Sequence, residues 1–174
     1  MSIPIETKLQ TQNLVLRKFT TQDATFVYTL MNSPGWLQFI GDRDIKSLVD
    51  AERYIQERFF PTYKQPGCEF WCVLSKQTNE PIGTVSMLLR DPLDEIDLGF
   101  AFLPEFTGFG YAFEASQAIL QLEQKESKLS SVLAFTDLHN TRSQTLLERL
   151  GFNKIGLKVV KEEWGESLLY RLEF

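Results

Sequence analysis

The sequence predicts one α/β domain in which helices flank a single mixed sheet. Three observations lead there. The 174 residues fit one domain, because a chain of this length buries roughly two thirds of its unfolded surface around one core. Three strand-like runs follow one another between Glu69 and Phe102, separated only by turn residues, as in an antiparallel meander. Beyond Gly110, helix, strand, helix and two further strands alternate, and no linker or repeat interrupts them.

Taken in order, residues 13–19 (NLVLRKF) have the residue types of a first strand. Thr20, Thr21 and Asp23 then offer caps for a helix through about residue 31, which Ser33-Pro34-Gly35 ends. Ser47 opens a second helix in SLVDAERYIQERFF. There Leu48, Ala51, Ile55 and Phe59 recur at helical spacing, Asp50, Glu52, Arg53 and Arg58 stay in water, and Pro61 closes the run. Strands are expected over 69–74, 82–89 and 95–102, with turns at 78–81 and 91–94. A loop over 104–110 leads into a helix from 111 to about 125, with Ala112, Ala115, Ile119 and Leu122 on one side. Residues 131–137 read as a strand and 141–150 as a helix stopped by Gly151. A terminal hairpin over 152–160 and 167–174 turns around Trp164-Gly165-Glu166.

Composition narrows the function. Hydrophobic residues at 43% and charged residues at 24%, without a low-complexity run, belong to a folded globular chain. The 14 Phe point to an aromatic core or pocket. A formal charge of -5 supplies no broad positive field, so nucleic acid is not an expected partner. Met1 is followed by Ser2-Ile3-Pro4-Ile5-Glu6, without a basic or apolar leader, and no apolar run reaches the ~18 residues of a membrane span. The expectation is a cytoplasmic protein without a membrane partner. Cys68 and Cys72 lie ~13 Å apart along one strand at ~3.3 Å per residue, too far to bridge, and read as buried thiols. With His139 the only histidine and no second Cys pair, no metal is expected.

The segment FLPEFTGFGYA, residues 102–112, joins a strand to a helix through Gly108 and Gly110. Such a turn aims backbone N–H groups outward at a helix N-terminus, where about half a positive charge favours an anion. The bland alternative is that the glycines only relieve a tight connection. Tyr111-Ala112 stand where a nucleotide triphosphatase needs Lys followed by Ser or Thr. A dinucleotide fold wants its glycine turn after the first strand of a parallel unit, not after a meander. Further on, Asn140 can cap the next helix and Ser143 lies near the same end; alone, the pair reads as a cap and a surface serine.

In sequence order, LGFAFLP, FTGFGYAFEA and HNTRSQTLLERLGF resemble the GNAT superfamily of N-acetyltransferases, in its RimJ/RimL-like branch, which includes ribosomal-protein N-terminal acetylases. The opening LQTQNLVLRKFTTQDATFVYTLMNSP is similar to that branch as well, so the likeness spans most of residues 1–174 as a single domain. It implies a twisted, mostly antiparallel central sheet with one parallel pair splayed into a V, between the strand ending at Phe102 and that ending at Asp137. The pantetheine arm of acetyl-CoA, the co-substrate, would fill the V and pair with main-chain groups around Phe100 and Phe102. Thr107, Gly108, Phe109, Gly110, Tyr111 and Ala112 match the family's pyrophosphate cradle. Asn140 and Ser143 match positions near pantetheine and thioester.

Forming an amide needs a neutral amine, a polarised thioester carbonyl and a proton for the departing thiolate. A backbone N–H near Phe100 or Ala101 is the candidate for the carbonyl. Asp97, at an acidic position common in this branch, is the candidate base, with Glu95 as alternate, acting through a water chain; an exposed strand-end carboxylate is the competing reading. Many members carry a tyrosine four residues before the Gly-Phe pair, where this chain has Leu147. That departure leaves Ser143 as the remaining donor, ahead of Tyr111, with His139 a second base or merely structural. A lysine-like amine is neutral about once in 2,500 at pH 7, an α-amine about once in ten, so the absence of a strong base leans towards a low-pKa amine. Trp36, Phe39, Phe70, Trp71 and Trp164 are divided between the acceptor side and the core. A CoA-binding module without catalysis and a ligand-free interaction domain are the rival readings. Monomer and homodimer both stay open.

Overall fold

The computed structural model describes residues 9–174. The leader expectation for residues 1–8 lies outside them. One eight-stranded sheet runs in the order β1-β2-β3-β4-β5-β6-β8-β7. Its strands are β1 (Leu9–Gln10), β2 (Leu14–Lys18), β3 (Glu69–Ser75), β4 (Pro81–Leu88), β5 (Asp97–Phe102), β6 (Ser131–Asp137), β7 (Asn153–Val159) and β8 (Glu166–Glu173). Every neighbouring pair is antiparallel except β5 and β6, as the sequence reading implies. The two-residue β1 is an addition: it is too short to carry an alternation, and only its pairing with β2 defines it.

Helices cover both faces. α4 (Tyr111–Glu126) packs Ala115 and Ile119 against Leu14, Leu16, Val85, Met87 and Leu98. On the opposite face, α1 (Ala24–Met31), α3 (Leu48–Tyr54) and the turn that follows it set Phe26, Leu30, Ala51, Ile55 and Phe59 against Cys72 and Leu74. Each such large side chain contributes about 1.5–3 kcal/mol through burial. α5 (Thr141–Arg149) follows β6. Cys68 and Cys72 are free and buried in different core clusters, and burial pushes the Cys72 thiol well above its ordinary range.

Three local expectations are corrected. Ser33-Pro34-Gly35 does not simply end α1, because Ser33 is the N-cap of a further short helix, α2 (Pro34–Phe39), with proline in its first turn. Nor does Pro61 close α3. The chain widens into a π turn over Ile55–Phe59 and tightens into a 3₁₀ turn over Phe60–Lys64, which accommodates a residue without an N–H. Leu48, assigned to the buried stripe, sits in the first turn of α3 and is exposed.

Candidate active site

β5 and β6 share a single partner pair, Asp97 with Leu133, where the Leu133 N–H donates to the Ile96 carbonyl at 2.9 Å. Past that point the strands part. The register between β4 and β5 fixes which groups border the gap. Phe102 lies opposite Gly83, and the Leu103 N–H donates to the Ile82 carbonyl at 2.9 Å. Phe102 and Phe100 therefore belong to non-hydrogen-bonded pairs, and their main-chain N–H and C=O groups point away from β4 into the gap. An extended amide-bearing arm can pair there as an added strand. The same register turns the Ala101 N–H towards β4, so of the two candidates for polarising a thioester only Phe100 offers its N–H to the gap.

The gap opens into a cleft of about 2020 Å³ bordered by Asp97, Phe100, Phe102, Thr107, Gly108, Gly110, Tyr111, Ala112, Asn140 and Ser143. Phe109 is not among its walls; it is 68% exposed and stacks on Tyr111 with ring centres 5.8 Å apart. Gly108 and Gly110 hold φ of 87° and 83°, a left-handed backbone that favours glycine. A β-carbon on either would meet no atom within 4 Å, so these glycines do not relieve crowding by the protein itself; they shape a turn beside open space. Gly110 caps α4 without a side chain, leaving the first-turn N–H groups to a ligand. Glu114 anchors that helix end, accepting from the Asn13 N–H at 2.7 Å and from Asn13 Nδ2 at 2.9 Å. Arg142, given no role in the sequence reading, donates to the Thr107 hydroxyl at 3.4 Å and adds a positive charge beside the turn. These groups fit a pyrophosphate in charge and in donor direction.

The carboxylates separate. Glu95 is bound to the Ser131 hydroxyl and to Arg171, and the structure does not bring it to the cleft. Asp97 is 1% exposed and borders the cleft. One of its oxygens accepts from Arg90 Nε at 2.7 Å, and the other, Oδ1, is buried with no partner among the described residues. Burial pushes this carboxyl up to about 6, with Arg90 acting in the opposite sense. Asn140 Oδ1 accepts from the Ser143 N–H at 3.2 Å and caps α5, which leaves its Nδ2 and the Ser143 hydroxyl for a ligand. Leu147 is buried and has no proton to give. His139 is exposed, outside the cleft walls, and its N–H donates to Asp137 Oδ1 at 2.7 Å. Of the aromatics, Trp71 is core, whereas Trp36, Phe39, Phe70 and Trp164 border the cleft. No group of side chains suited to a metal ion occurs among the described residues, and no described helix is long and apolar enough to cross a membrane.

Residues 13–153 match the acetyltransferase (GNAT) domain family. The N-acetyltransferase YoaA of Bacillus subtilis is 27% identical over 150 residues, 86% of this chain and 84% of YoaA. The ribosomal protein uS5-alanine N-acetyltransferase of Escherichia coli is 28% identical over 116 residues, 63% of this chain and 60% of that enzyme. In fold, the chain superposes on the ribosomal-protein-S5-alanine acetyltransferase of Vibrio fischeri with a TM-score of 0.80 at 18% identity, covering 97% of each. It superposes on RimL, a ribosomal L7/L12 α-N-protein acetyltransferase in complex with coenzyme A, with a TM-score of 0.80 at 15% identity, covering 97% of this chain and 98% of that one. A split parallel pair, an open strand edge along it and a glycine turn at a bare helix end are what this family's sequence pattern implies, and the chain belongs to the GNAT family of N-acetyltransferases.

Proposed function

We propose that the protein transfers an acetyl group from acetyl-CoA to a low-pKa amine, by direct attack while both substrates are bound. Pantetheine runs along the Phe100–Phe102 edge, and the pyrophosphate lies on Thr107, Gly108, Gly110, Tyr111 and Ala112. The Phe100 N–H points at the oxygen that gains charge as the amine adds to the thioester. Asp97 takes the ammonium proton through a bridging water, and the departing thiolate gains a proton from water relayed through the Ser143 hydroxyl, which ends neutral. The observation that carries this reading is the free Oδ1 of Asp97: a buried carboxylate oxygen without a partner, on the cleft wall and three residues before Phe100. A carboxyl that ionises near pH 6 is charged in most molecules at neutral pH yet basic enough to drain an α-ammonium of pKa ~8. It is a weak base for a lysine side chain at ~10.4.

Mass spectrometry of products after incubation with acetyl-CoA and a mixed library of peptides and small amines tests the proposal. Products heavier by one acetyl group on the amine, formed at the rate of CoA thiol release, are expected. Acetyl-CoA bound without turnover on any amine would replace the proposal with a CoA-binding module.

A further inference from the structure

The acceptor side of the cleft is walled by an aromatic pair bearing cations. Phe135 of β6 and Trp164 of the β7–β8 connection stack with ring centres 5.8 Å apart. Lys161 Nζ lies 4.4 Å from the centre of the Trp164 ring and Arg43 Cζ 5.9 Å from it, while Arg90 Cζ lies 5.2 Å from Phe135. All five border the cleft, as does Arg58. Lys161 thus stands within electrostatic reach of Arg43, Arg90 and Arg58, with Glu163 opposing them.

These cations are poorly neutralised. Among the described residues neither Arg43, Arg58 nor Lys161 forms an ion pair. Arg90 gives only its Nε to Asp97. Of the acids nearest in sequence, Asp44 pairs with Lys46, while Asp42, Glu57 and Asp91 also border the cleft but form no ion pair with these cations among the described residues. Glu163 opposes the arginines without overturning them. The Lys161 ammonium stays below its ordinary pKa, first through burial and then through Arg43, Arg90 and Arg58. Cation–π contact orients such groups but leaves their charge uncompensated. Three segments distant in sequence, around residues 43, 90 and 161, therefore converge on one unfilled demand for an anion. Asp97 connects to this wall directly, through Arg90.

We propose that the wall holds an anionic group of the acceptor, so that the amine acetylated belongs to a molecule carrying a carboxylate, with Arg43 and Lys161 as specificity-determining residues. This rests on the acetyltransferase reading above. The anion anchors one end of the acceptor over Trp164 and Phe135, and the amine reaches back towards Asp97 and the thioester. Opposite charges on acceptor and wall set which amines dwell in the cleft, and the chemistry at Asp97 is unchanged by them. Two sources of such an acceptor share this chemistry: a free amino acid, and a peptide with an acidic residue near its amino end.

The test uses matched pairs on the full chain: free amino acids against their amides, and tripeptides with Glu against Gln at the second or third position. KM is read from CoA thiol release, and Kd from calorimetry on the CoA-saturated protein. Expected is a preference for the acid of about 10- to 100-fold, the ratio of a charge-assisted hydrogen bond, in one of the two sets, which then names the source. Arg43→Gln with Lys161→Gln should erase that preference in both KM and Kd, and Lys161→Arg should keep it. Equal values for acid and neutral partners in both sets would overturn the proposal. So would a double variant that weakens both partners alike. If no amine is turned over, the transferase reading fails on thiol release while the calorimetric pairs still decide the anion site.

Discussion

Replacing Asp97 by asparagine separates two consequences of one buried carboxyl. Its ionisation is raised from the ordinary 3.8 to about 6 by burial, with Arg90 opposing. Between those two values the folded protein holds a proton that the unfolded chain has released. Stability from this group is then fully present below about pH 4 and is lost as pH rises through 6, because the folded state binds the more protons. At 1.36 kcal/mol per tenfold change, the loss amounts to about 3 kcal/mol by neutral pH. The amide of the Asp97→Asn variant cannot titrate. It can still accept from the Arg90 Nε, as the protonated carboxyl does below about pH 6, so the difference between the two proteins follows the titration of Asp97. The expected outcome in urea unfolding is a wild-type-minus-variant difference that moves by about 2.5 kcal/mol in favour of the variant from pH 4 to 7, a melting shift of roughly 5–10 °C. The same variant should lose about 100- to 10,000-fold in kcat, with disappearance of the acidic limb near pH 6 in kcat/KM. Stability curves that run parallel across this window would refute the account of Asp97 as a buried, high-pKa carboxyl; a moving difference with unchanged kcat would leave the carboxyl but remove the base.

Three further outcomes are expected. Gly110→Asp should leave the protein folded, at a backbone cost of about 1–2 kcal/mol, while weakening acetyl-CoA at least about tenfold by calorimetry, because it sets a carboxylate on a left-handed turn beside the pyrophosphate; an unchanged Kd would remove the cradle. Ser143→Ala should lower kcat about 10- to 1,000-fold with little change in acetyl-CoA binding, and equal rates for variant and wild type at both pH 6.5 and pH 9 would remove Ser143 as donor. Gly83→Ala should destabilise by about 1–3 kcal/mol and raise the KM for acetyl-CoA, since its β-carbon would run into the Phe102 ring; a variant matching wild type in melting temperature would show that the ring yields freely.

What the sequence disclosed follows the range of the interactions involved. α4 and its glycine turn were legible because the helical period and left-handed turn chemistry are written in consecutive residues, and the Asn140 cap for the same reason. The parting of β5 from β6 is not local: no residue in either strand encodes it, and only the likeness of the ordered motifs to a family pointed there. α2 has six residues, too few for a period to declare itself. Glu95 and Asp97 lie two residues apart with the same parity, so spacing cannot rank them. The distinction comes from β6 and β8, which supply Ser131 and Arg171 to one, and from Arg90, which leaves an oxygen of the other free. Arg43, Lys161 and Trp164 had no signal as a group, because the loop before α3 and the β7–β8 connection meet only in the folded chain.

Leu147 shows which proton transfer this fold has kept under control. At that position the family often carries a tyrosine, and here a buried aliphatic side chain packs into the core instead. A thiolate whose conjugate acid has a pKa near 8.5 leaves readily and takes its proton from water at neutral pH, so on the proposed mechanism a dedicated tyrosine adds little to a relay through the Ser143 hydroxyl. The amine is a different case. It arrives charged at neutral pH and cannot attack until a base accepts its proton, and water is far too weak a base for that task. The asymmetry matches the structure: the tyrosine position is given over to packing, whereas Asp97 is kept buried and half-unpartnered although its ionisation costs the fold about 3 kcal/mol. On the proposed mechanism, this destabilised carboxylate on a cleft wall is where the demand of the reaction outweighs the demand of the core.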